Sequence, residues 1–119
     1  MTREIRLIPS SGEWLECVLA NFDEFLLDHA ANERKASSMA MSLVAHYPDK
    51  PDLVREMVDL ALEELTHFKQ VIRLIQERGL SMTPDEKDLY VNRMRHHVRG
   101  DTAGYFLDRL LSGAVIEAR

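Results

Sequence analysis

Residues 60–71 read LALEELTHFKQV, from Leu60 to Val71, and the rest of the chain is organised around them. The stretch holds Glu64-Leu65-Thr66-His67, a carboxylate and an imidazole three residues apart in a helical, otherwise apolar pattern. At about 3.6 residues per turn, positions i and i+3 share a helix face, so both side chains point the same way. Leu53, Met57, Leu60, Glu64, His67, Val71 and Leu74 alternate at spacings of four and three, the seam that faces partner helices in a bundle. An ionisable pair in such a seam is costly unless something satisfies it, and a metal ion does so. Glu-x-x-His is also the unit that two-metal carboxylate bundles carry on their ligand helices. Taken alone the motif is weak. A Glu-rich helix produces it by chance, and a polar layer can serve only to fix register. Glu63 lies about 100° round the helix from Glu64 and reads as solvated, or at most as a neighbour of the ligands.

The partner seam lies upstream. A long helix is expected from about Phe22 to His46, with Phe22, Leu26, His29, Glu33, Ala36, Ala40, Leu43 and Tyr47 in one row. His29 and Glu33 interrupt that row as Glu64 and His67 interrupt the other. The alanines beside Glu33 leave room for an ion or for a second helix. Tyr47-Pro48-Asp49-Lys50-Pro51 is the turn, with Pro51 suited to the first helical position, where its missing N–H costs nothing. The next helix is expected from about Pro51 to Arg78, stopped by Gly79. Glu33 and Glu64 are nearly equidistant from the turn, so antiparallel packing brings them level.

The flanks are less regular. Residues 1–10 read as extended up to Pro9, and a short helix starts near Glu13 with Trp14, Leu15 and Val18 on its apolar side. Asn21 or Asp23 breaks or re-caps the chain before the first long helix. Thr83-Pro84-Asp85-Glu86 has the form of a capping box and predicts a helix running to about Arg99. After Gly100, Asp101 or Thr102 caps a last segment in which Phe106, Leu110, Gly113 and Glu117 keep the four-three rhythm. A third seam therefore carries an inward carboxylate.

At 119 residues, 45% hydrophobic and 29% charged, the chain is expected to form a single all-α domain over residues 1–119. It has neither an uncharged apolar run long enough to span a membrane nor a signal-peptide core, which points to the cytoplasm. The lone Cys17 fits a reducing compartment and reads as a small hydrophobe near the core. A net charge of −5 argues against a large nucleic-acid footprint. Arg93, Arg95, His96, His97 and Arg99 are a local exception, read first as a solvated helix end and second as a polyanion contact. There is no Gly-rich phosphate loop and no Ser/His/Asp order.

Three seams carrying Glu33, Glu64 with His67, and Glu117 make a metal site the best reading. Carboxylate-rich ligation with one imidazole suits iron or manganese better than zinc. A complete two-metal site of this class takes about four carboxylates and two histidines from four helices. These residues supply three and one, and His96 and His97 lack a Glu three positions before them.

LLDHAANERKAS, HYPDKPDLVREMVDLALEELTHF and GAVIEAR together resemble the MiaE family, tRNA hydroxylases acting on 2-methylthio-N6-isopentenyladenosine beside the anticodon. The resemblance runs from about Trp14 to the end. It implies a ferritin-like antiparallel helical bundle with a non-haem centre of two Fe ions, O2 as co-substrate, tRNA as substrate and an electron-donor protein as partner. It places Glu33, Glu64, His67 and Glu117 as metal ligands, with His29 as a hydrogen-bond partner behind them or a satisfied core histidine. Family members continue through a further helix with the remaining Glu-x-x-His. The expected bundle is therefore incomplete: truncated at its C-terminal end, or completed between chains in a homo-oligomer. Such a monomer would be a poor hydroxylase with an exposed apolar groove. Two rivals remain open: another ferritin-like two-metal oxidase, ferroxidase or peroxide-handling protein, and a metal-free helical interaction module.

Overall fold

A Pro-containing turn between two long amphipathic segments dictates the central feature, an antiparallel pair of helices. The computed structural model describes residues 6–86 and 89–118, all helical or irregular, in five helices: α1 (Gly12–Ala20), α2 (Phe22–His46), α3 (Pro51–Glu77), α4 (Leu89–Arg95) and α5 (Thr102–Ala118). The expected extended start at residues 1–5, residues 87–88 of the expected fourth helix and Arg119 lie outside the described residues. Two compact units result, one of residues 12–85 and the other of the remaining described residues.

In the first unit α2 and α3 face each other along their lengths. Arg78 Nε donates to Asp23 Oδ1 at 2.7 Å, and Ser37 Oγ donates to the Ala61 carbonyl at 3.0 Å. Numbers rise along α2 as they fall along α3, so the pair is antiparallel. Lys50 N–H closes a turn on the Tyr47 carbonyl at 3.2 Å, and Pro51 opens α3. Leu26, Ala30, Val71 and Ile75 form a buried cluster, joined by Phe68, Leu80 and Met82. Ala40, Leu43 and Ala61 are buried towards the turn.

The seam differs from the expected row in detail. Ala30 and Ile75 are fully buried, whereas Leu74 is 48% exposed. A strict 3.5-residue repeat drifts by about 20° per heptad on a straight helix, enough to exchange one seam position for its neighbour.

At its far end α3 stops at Gly79, whose φ is +71°. Leu80 N–H bonds the Ile75 carbonyl and Gly79 N–H that of Gln76, both at 3.0 Å, a Schellman cap with Leu80 packed back on the core. Asn21 precedes α2 without a side-chain cap; its Nδ2 bonds the Cys17 carbonyl at 2.9 Å and closes α1 instead. Cys17 itself is exposed, not near the core as expected. Trp14 meets the edge of Phe25, with ring centroids 6.5 Å apart.

The second unit corrects the expected fourth helix. Residues 83–86 are not helical, and α4 spans only Leu89–Arg95. Asp85, expected in the first turn of that helix, pairs instead with Arg34 of α2 within the first unit. The expected cap of α5 is present: Asp101 Oδ2 accepts from Gly104 N–H at 2.8 Å. No described helix is long and apolar enough to cross a membrane.

Candidate metal centre

Glu33 lies mid-way along α2, and Glu64 and His67 lie mid-way along α3, so antiparallel pairing sets the three at one level. One ligand atom from each falls within 4.8 Å of the others. Glu64 is 7% exposed, the one buried charged residue among those described. His67 Nδ1 lies 3.6 Å from Glu33 Oε2 and 3.9 Å from Glu64 Oε1, too long for hydrogen bonds. Apolar layers flank this polar one: Ala30 and Val71 on one side, Ala40 and Ala61 on the other.

The cluster is electrostatically unfinished. Glu33 Oε2 is buried without a hydrogen-bond partner among the described residues. Burial, and then the hydrogen bond and charge of neighbouring Glu33, raise the Glu64 carboxyl from 4.5 to about 7, with His67 opposing. Two carboxylates held this close need a shared proton or a cation. A divalent ion among these atoms would neutralise both and occupy the orphaned oxygen. The residues therefore fit a metal, and two oxygens with one imidazole nitrogen suit a first-row divalent ion.

His29 Nε2 lies 3.2 Å from Glu33 Oε1 one turn away, and its ring stacks on Phe25 at 5.6 Å. It can fix the outer oxygen of Glu33 while Oε2 faces His67. Ser37, which the sequence reading passed over, locks α2 to α3 one turn from Glu33. Its only sequence signal is the i+4 spacing from Glu33. Glu63 is exposed and turned away. Glu117 sits in the last turn of α5, in the second unit, with its side chain exposed there.

Comparison with known proteins gives this geometry a family. A protein-family model described as tRNA-(MS[2]IO[6]A)-hydroxylase (MiaE) matches residues 2–119. The chain is 40% identical over 111 residues to the tRNA 2-(methylsulfanyl)-N(6)-isopentenyladenosine(37) hydroxylase of Pseudomonas putida, covering 93% of this chain and 54% of that protein. It thus spans about half the length of the curated relative it matches. Among solved structures it is similar to a Synechococcus protein with aldehyde deformylating oxygenase activity, with a TM-score of 0.86 and 36% identity over 92% of this chain and 55% of that one. The all-helical fold is ferritin-like. With a family match across nearly all of its length, the chain belongs to the MiaE family.

Proposed function

We propose that this chain contributes to a non-haem di-iron, O2-dependent tRNA hydroxylase, acting on the isopentenyl group of a hypermodified adenosine next to the anticodon. The observation that carries the reading is the Glu33–Glu64–His67 cluster, half-buried around a buried Glu64, with its unsatisfied Glu33 oxygen. It is a ligand half-set in a chain whose family is named for such a hydroxylase. Glu33, Glu64 and His67 would hold iron, and the resemblance to the family adds the Glu117 carboxylate to the ligand set. In this reading residues 1–119 make one ferritin-like domain, working in the cytoplasm with tRNA and an electron-donor protein.

When bound, the two irons supply redox chemistry for hydroxylation, in which a C–H bond, O2, two electrons and two protons give C–OH and water. The protein's own residues set the geometry and the charge. Glu64 gives up its proton when a cation binds, His29 steadies the outer oxygen of Glu33, and the alanine layers exclude water. The test is anaerobic Fe(II) reconstitution with iron counted per chain, followed by O2, a reductant and tRNA bearing the isopentenyl modification. Iron binding with gain of one oxygen atom on that nucleoside supports the reading; iron binding that Glu33→Gln and Glu64→Gln leave unchanged refutes it. No bound iron would favour the metal-free interaction module.

The Synechococcus neighbour favours a second reading, oxygen-dependent chemistry on an aldehyde. Release of formate from an aldehyde by the same iron-loaded sample, with tRNA untouched, would select it.

A further inference from the structure

The basic cluster of the second unit has no part in the metal centre. From Leu89 to Gly100 the chain carries Arg93, Arg95, Arg99, His96 and His97 and no carboxylate, although the whole chain has a net charge of −5. Arg93, Arg95, His96 and His97 are all exposed. Elsewhere Arg34, Arg55 and Arg78 each meet an aspartate. Among the described residues Arg93 and Arg95 meet none.

The segment that presents them is tied down. The turn after α4 is closed by His97 N–H on the Met94 carbonyl at 3.1 Å and Val98 N–H on that of Arg95 at 3.2 Å. Arg99 then grips Asp108 of α5 three times: its backbone N–H and Nε to Oδ2 at 2.9 Å, and a terminal nitrogen to Oδ1 at 3.0 Å. That pairing holds the Asp108 carboxyl below its ordinary range. One arginine is thus spent on structure, and the others project from the last turn of α4. A helix of seven residues has too small a dipole to require four cationic or titratable side chains at its end. Concentrated, unneutralised cations on an acidic chain are the mark of a phosphate-backbone contact.

Resting on the function proposed above, we propose that Arg93 and Arg95, supported by His96 and His97, contact the phosphodiester backbone of the tRNA. The contact positions the RNA without reading its bases. Arg99 and Asp108 are positioning residues that fix the turn.

The test is fluorescence anisotropy of a labelled anticodon stem-loop with the full chain across a salt series. Each phosphate contact contributes about 0.7 to 0.9 to the slope of log K against log salt. R93Q/R95Q should flatten that slope by about 1.5 and weaken binding at low salt. K69Q/R73Q, which removes two exposed cations from α3, should keep the parent slope. Unaltered helical circular dichroism in both variants confines the comparison to charge. A parent slope in R93Q/R95Q overturns the proposed contact and leaves the hydroxylase reading standing. An equal loss in K69Q/R73Q overturns it too, as diffuse attraction. No binding by the parent at any salt concentration overturns both.

Discussion

A carboxyl group 7% exposed between two helices has to be protonated, paired or bound to a cation, and Glu64 can do the first or the last. Its folded pKa of about 7 lies above the ordinary 4.5, so the folded metal-free chain holds a proton that the unfolded chain releases. Below pH 4.5 both states are protonated and Glu64 contributes no pH dependence. Stability then falls as pH rises from about 4.5 to about 7, and levels off beyond. The metal-free chain should be more stable at pH 5 than at pH 8.5 by on the order of 2 kcal/mol, read from urea titrations at the two values. Glu64→Gln should remove most of that difference by stabilising the chain at pH 8.5, because the amide carries no charge to bury. The same substitution should abolish metal binding, which separates a functional carboxylate from a structural one. Metal affinity of the parent should rise over the same pH range, since the ion displaces the proton.

The long elements were legible because each strong signal had a single physical meaning. Pro51 suits the start of a helix, Gly79 supplies the positive φ that ends one, and the seams between them are long enough to average out errors. Glu33, Glu64 and His67 were legible for the same reason: distance from the turn fixes their level. The fourth helix was not, because Thr83-Pro84-Asp85-Glu86 satisfies a local rule that a distant contact overrides. Asp85 reaches Arg34, fifty-one residues away, and the segment stays irregular. Gly79→Ala should cost about 1 kcal/mol in urea unfolding, through strain at a φ that residues with a Cβ avoid. Gly104 acts by another route. A Cβ there would lie 2.6 and 2.8 Å from the two Asp101 carboxylate oxygens, so Gly104→Ala should expel the α5 cap. Losing that cap should cost about 1 kcal/mol, matching Asp101→Ala. With Asp101 already replaced, Gly104→Ala should cost less than it does in the parent, the contact with Arg99 Nε at 3.0 Å being what remains. A double-mutant cycle by thermal melting checks this, and additive losses would mean that the two residues act independently.

Seen as a whole, the first unit is a two-helix clamp whose middle layer is left unsatisfied, so an ion that fills the layer should stabilise the pair. A ligand at about a hundred times its dissociation constant adds about 2.7 kcal/mol to a fold that alone can bind it. For a chain of this length that corresponds to a rise in Tm of roughly 10 °C. Differential scanning calorimetry with anaerobic Fe(II), and with Mn(II) as a redox-silent control, should show such a rise at pH 7.5. Glu33→Gln should remove it along with Glu64→Gln, because both helices lose their claim on the ion when either carboxylate is gone. His29→Ala should keep the rise but need more metal to reach it, by about 10- to 100-fold, as for other residues that orient a ligand through a hydrogen bond. The Tm of each variant without metal supplies the baseline, so a general loss of folding cannot imitate a loss of binding. A shift that survived with both carboxylates replaced would put the ion elsewhere, among the other eighteen acidic residues of the chain. The orphaned Glu33 oxygen would then have to be explained by packing alone.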